Sequence, residues 1–180
     1  SRKATKLTID FSLRAVGRLA RFLPVAFASP DDAEARRECL LGSLEAGIAF
    51  TNSSVALVHG MARPLGAKFG IPHGVSNAVL LEAIMRFSLP GAPERYARLA
   101  QAMGAVPAGT PLETARAGLG IVSRLVRELH IPRLRDLLSR DALDAQLDAM
   151  VREAVASGSP ANNPRPASPE EIASLYGEAF

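Results

Sequence analysis

The chain has 180 residues, 48% of them apolar and 22% charged, with a net charge of +3, no Trp and one cysteine. It is long enough for one domain with a substantial core, and its Ala- and Leu-rich composition predicts an all-helical one. Arginines alternate with acids and no aromatic-studded basic patch occurs, so nucleic acid is not an expected partner; lone Cys39 provides neither a disulfide framework nor a Cys-based zinc cluster.

The absence of an apolar run of ~18 residues argues against a membrane span, and the protein is expected to be soluble and cytoplasmic. Opening at "SRKATKLTIDF" without a Met, it is read as a piece of something longer.

Leu7, Phe11, Ala15, Leu19, Phe22 and Leu23 recur at three and four, which predicts a first helix ending near Pro24 or just beyond. "SPDDAEARRECLLGSLEAGIAFTNSSVALVHG" opens with Ser29 as a cap candidate and Pro30 in the first turn, and predicts a long helix. Gly42 and Gly47 are candidate points of close helix approach on it. Cys39 is expected there as a small buried apolar side chain.

Further helices are predicted over "PHGVSNAVLLEAIMRFS", entered at Pro72, over "PGAPERYARLAQAMG", closed by Gly104, and over "TPLETARAGLGIVSRLVRELH", opened by Thr110 and Pro111. "SRDALDAQLDAMVREAVAS" is capped by Ser139 or Asp141, and "SPEEIASLYGEAF" by Ser168, with Glu residues behind. No period-2 strand of useful length, internal repeat or low-complexity tract is present. "SGSPANNPRPAS" is a connector or site loop.

Chemistry concentrates in "VHGMARPLGAKFGIPHG", Val58–Gly74, which holds two of three histidines. On one unbroken helix His59 and His73 would stand about 21 Å apart, too far to share an ion. Pro64 fits a first helical turn, while Gly66, Gly70 and Pro72 permit a reversal that returns His73, at the start of one helix, toward His59 at the end of the previous one. Two converging imidazoles make a metal half-site that suits zinc, iron, copper or nickel; two satisfied core or cap histidines are the other reading. His130 is expected at a helix end, near the last carbonyls.

The string from Gly42 to Ser88 resembles the signature of the iron-containing (group III) alcohol dehydrogenase family, read at His59, Gly66, Pro72, His73, Gly74, Asn77 and Ala78. The opening "SRKATKLTIDFSLRA" and the closing "NNPRPASPEEIASLY" are also similar to the family. The resemblance implies that residues 1–180 are the C-terminal helical metal-binding domain of a two-domain enzyme. It implies an all-α, dehydroquinate synthase-like multi-helix fold that lacks its N-terminal α/β nucleotide-binding domain.

By the same resemblance, His59 and His73 are two of four ligands of a divalent metal, Fe2+ or Zn2+. An Asp and a His from the absent region would be the others, so the piece alone is expected to bind metal weakly and not to turn over. NAD or NADP would be held by the missing domain, and the reaction would move a hydride between an alcohol and its aldehyde or ketone. The implied partners are a small alcohol or aldehyde, the chain's own N-terminal domain and a second copy. A maleylacetate reductase or glycerol dehydrogenase-like branch, or a non-catalytic helical binding or assembly module, are the rival readings.

Where many relatives carry a second histidine, four residues after the first ligand, this sequence has Arg63. Arginine stays protonated and cannot relay a proton as imidazole does. It is expected on the helix face of His59 in a catalytic role, orienting an anionic substrate group or pairing with an acid of the missing domain. Phe50 matches a substrate-facing position in relatives. Asn162, Asn163 and Arg165 lie in a loop similar to one near the family's active cleft and are expected to hydrogen-bond there, Asn162 and Arg165 as substrate-pocket residues. Core packing for Phe50 and turn contacts for the loop residues are the competing roles.

Overall fold

The computed structural model describes residues 1–180 as eight α-helices and three short 3-10 turns, without a strand. The helices are α1 (Lys6–Ala28), α2 (Ala33–Ser53), α3 (Leu57–Phe69), α4 (His73–Ser88), α5 (Pro93–Ala102), α6 (Pro111–Glu128), α7 (Arg140–Ala156) and α8 (Pro169–Ala179). The all-α expectation holds. No single helix is long and apolar enough to cross a membrane.

The chain divides into two compact units. One comprises Ser1–Arg2, Val55–Ser88 and Ile131–Phe180, and so holds α3, α4, α7 and α8. Its core joins Leu57, Met61 and Leu65 of α3 to Leu80 of α4, Met150 of α7 and Ile172 of α8. Each such burial stabilises by about 1.5–3 kcal/mol. Tyr176, fully buried, donates its hydroxyl to the Met61 carbonyl at 2.6 Å and ties α8 to α3.

The other unit, Lys3–Ser54 with Leu89–His130, contains α1, α2, α5 and α6. Arg18 of α1 pairs with Glu38 and Glu45 of α2, and Arg14 reaches Glu45 at 3.0 Å. Gly42 lets the same helices meet, since a β-carbon there would stand 3.0 Å from Leu19 Cγ. Gly118 of α6 similarly faces Ala100 of α5. Cys39 is partly buried and unbonded.

Three helix starts and one helix end follow the local signals. Thr110 and Ser168 form capping boxes with Glu113 and Glu171, Ser139 caps α7, and Gly104 adopts a left-handed φ of 96° after α5. Other expectations are corrected. α1 runs past Pro24 to Ala28, in keeping with an end just beyond that proline, but Ser29 closes this helix rather than opening the next, and Asp32 is the residue that caps α2, accepting from Ala35 N at 2.9 Å.

The long helix predicted to run on toward Gly60 is broken at Ser54, where φ is 60°. Asn52 Nδ2 and Ser53 Oγ each donate at 2.8 Å to carbonyls four residues back, Ile48 and Ala49. Polar side chains that compete for backbone groups in this way weaken helix propagation. At Gly47 a β-carbon would meet nothing within 4 Å, so only Gly42 of the two glycines serves close approach.

Candidate metal centre

The site is built on α3 and α4. α3 ends at Gly70, whose left-handed φ of 67° would strain a side chain, and Gly70 N donates to Gly66 O at 3.0 Å. The chain then turns back along α3. Gly66 makes room for this, because a β-carbon there would stand 3.3 Å from Ile71 O. Ile71 is buried, and its carbonyl accepts from Ser76 Oγ at 3.2 Å, clipping the turn to α4.

This hairpin brings His73, the first residue of α4, to His59. Their ring centroids are 5.4 Å apart, with planes inclined by 56°. The convergence expected of the pair is present, but its construction differs from the sequence reading. His59 lies in the first turn of α3 rather than at a helix end, and Pro64 is buried inside the same helix. Pro64 supplies no N–H to the ladder, and the helix nonetheless continues five residues to Phe69.

His59 is half-buried. Desolvation lowers its pKa below the ordinary imidazole value, and the neighbouring His73 and the Arg63 cation lower it further. It is therefore neutral at pH 7, the form that ligates metal. Asn77, one turn along α4, donates Nδ2 to His73 O at 2.8 Å and lies 3.1 Å from His73 Nε2. Its Oδ1 is buried without a hydrogen-bond partner.

Two adjacent imidazoles, one held neutral, are the donor chemistry of a divalent transition-metal site. No group of three or more His, Cys, Asp or Glu side chains that could hold a metal occurs in the chain. The residues therefore fit such an ion as a half-site.

Arg63 stands one turn beyond His59 on α3 and donates NH1 to Ser159 Oγ at 3.2 Å. Ser159 precedes the 3-10 turn Pro160–Asn162 and was not singled out in the sequence. The only signal available was its place in the flagged loop. Asn162 donates Nδ2 to Val55 O at 2.9 Å, just before α3, and its own carbonyl accepts from Arg2 N at 2.7 Å.

Asn163 donates to Ser88 Oγ and to Arg165 O. Arg165 stacks 3.8 Å over the Phe87 ring, donates to Phe87 O and pairs with Glu171 at 2.7 Å. These loop side chains brace α3, α4 and α8. Phe50 belongs to the other unit, on α2, with half its surface exposed. His130, also in that unit, has a left-handed φ of 51° and a ring 5.8 Å from that of Phe27.

Residues 1–180 match the C-terminal part of the Fe-containing alcohol dehydrogenase family along their whole length. The chain belongs to that family. It is 35% identical to 1,3-propanediol dehydrogenase of Klebsiella pneumoniae and 37% identical to lactaldehyde reductase of Escherichia coli K12, in each case over 100% of this chain and 46% of the relative.

Among solved structures, 1,3-propanediol oxidoreductase superposes with a TM-score of 0.93 at 34% identity, and an alcohol dehydrogenase from Oenococcus oeni with 0.92 at 28%. Each superposition covers 99% of this chain and 46% of the other. The chain thus spans about half the length of the relatives it matches.

Proposed function

We propose that residues 1–180 are one helical metal-holding domain of an NAD(P)-linked alcohol dehydrogenase acting in the cytoplasm. The observation that carries this reading is the pair His59 and His73, ring centroids 5.4 Å apart, in a chain of the Fe-containing alcohol dehydrogenase family. His59 and His73 would hold the ion, iron or zinc, together with ligands from elsewhere in the full protein. When bound, such a metal supplies Lewis acidity to the alcohol or carbonyl oxygen.

Reduction moves a hydride from the nicotinamide to the carbonyl carbon and a proton to its oxygen, leaving NAD(P)+ and the alcohol; oxidation runs the reverse. The half-buried, neutral His59 keeps a lone pair available at pH 7. Arg63 contributes a fixed cation one turn away. Asn162 and Arg165 support the site from the loop that braces α3, α4 and α8. A small alcohol or aldehyde, an N-terminal nucleotide-binding domain and a second copy of the chain are the proposed partners.

The test is metal analysis of the full-length protein beside its His59→Ala and His73→Ala variants, with NAD- and NADP-linked oxidation of short alcohols. Stoichiometric iron or zinc, lost with activity in both variants, is the expected outcome. A folded native protein that takes up no metal and oxidises no alcohol would sink the reading.

A further inference from the structure

Arg63 is anchored but electrically unmatched. In the same unit Lys68 pairs with Glu153, Arg86 with Glu82, Arg140 with Asp144 and Arg165 with Glu171, whereas Arg135 and Arg152 are exposed and, like Arg63, form no ion pair; what sets Arg63 apart is the hydrogen bond that anchors it. Arg63 has no carboxylate partner, and its hydrogen bond runs to the neutral hydroxyl of Ser159. Ser159 is itself nearly buried, at 5% exposure, and follows Gly158, whose φ is 70°. The turn that presents it is seated on α3, with Pro160 Cδ 2.9 Å from where a Gly60 β-carbon would stand.

A guanidinium has five N–H donors, and restraint by one hydrogen bond leaves others to meet a ligand in a set orientation. Within residues 1–180 no acidic side chain joins the two histidines in a metal-holding group, and the hydrogen bond of Arg63 runs to a hydroxyl. Residues four apart on a helix are separated by about 6 Å of rise. A molecule whose oxygen lies at the histidine pair would thus meet Arg63 with a group a few bonds farther along.

We infer that Arg63, oriented by Ser159, recognises an anionic group of the substrate, so that the alcohol and aldehyde served by this site carry a carboxylate a few bonds from the reacting carbon. The inference rests on the alcohol dehydrogenase reading above and names the substrate class for the same site. Arg63 meets the substrate directly. Ser159 is a positioning residue that acts through it.

The experiment uses the full-length, metal-loaded protein and compares 4-oxobutanoate with butanal as substrates for NAD(P)H-linked reduction. It is run on the native enzyme, Arg63→Met and Ser159→Ala, with calorimetric titration of each protein by succinate. The native enzyme is expected to favour 4-oxobutanoate by about tenfold or more in kcat/KM, as expected for a charge-assisted hydrogen bond.

Arg63→Met should reduce that preference about tenfold or more, chiefly through KM for the acid, and weaken succinate binding to match. Ser159→Ala should produce a smaller shift in the same direction. Reduction of butanal without preference for the acid, or an unchanged ratio and succinate affinity in Arg63→Met, overturns the inference alone. A native ratio in Ser159→Ala overturns the positioning role. Failure to reduce either aldehyde overturns the dehydrogenase reading and this inference with it.

Discussion

Gly60 lies so close to Pro160 that a β-carbon on it would stand 2.9 Å from the proline Cδ and 3.3 Å from Ser157 Oγ. The glycine is the residue next to His59, so the loop packs on α3 at the position that follows the candidate ligand. Gly60→Ala is expected to destabilise the protein by about 1–3 kcal/mol through overpacking, although alanine favours the helix. Denaturant unfolding checks this. A variant as stable as native would show that the loop yields without cost.

A paired test lies on α6. Gly118 is buried, and a β-carbon on it would stand 2.5 Å from Ala100 Cβ, whereas the same addition at exposed Gly120 meets nothing within 4 Å. Gly118→Ala should destabilise by about 1–3 kcal/mol. Gly120→Ala should stabilise by up to about 1 kcal/mol, the helix-propensity difference. Thermal melts of the two should move in opposite directions, and a common sign would contradict the packing of α5 on α6.

Tyr176→Phe removes only the hydroxyl that reaches Met61 O. The ring remains in the core, so the cost is that of one buried hydrogen bond, about 0.5–1.5 kcal/mol. Chemical denaturation should report a lower midpoint at unchanged slope.

His59 couples stability to pH. In the unfolded chain it titrates near its ordinary value of about 6.5, and folding lowers that value. Between the two values the unfolded state binds more protons. Its contribution is therefore intact above pH 6.5 and is lost as pH falls through 6.5 toward the lowered folded value. In metal-free protein, His59→Gln should flatten the decline in stability between neutral and acidic pH. An unchanged decline would place the effect on other groups.

Helix starts were legible because a cap is a local event: Thr110 with Glu113, and Ser168 with Glu171, lie three residues apart. The break after α2 was hidden because "TNSS" does not announce that its side chains will take the carbonyls of Ile48 and Ala49. For the histidine pair, the turn glycines indicated a reversal. The return of the chain along α3, which lets a first-turn histidine meet the next helix, depends on the approach of Ile71 to Gly66. Ser159 was legible only as a member of its loop, since nothing local links it to Arg63.

That last separation has a consequence for how the site assembles. His59 and His73 are joined by a single helical hairpin, so their meeting involves closure of a short loop, a cheap and early event in a folding chain. Arg63 and Ser159 are 96 residues apart, and their meeting waits for α7 to dock on α3. Damage to the late-arriving segment can therefore leave the imidazole pair standing while the cation beside it swings loose, so that metal capture and substrate choice become separable traits.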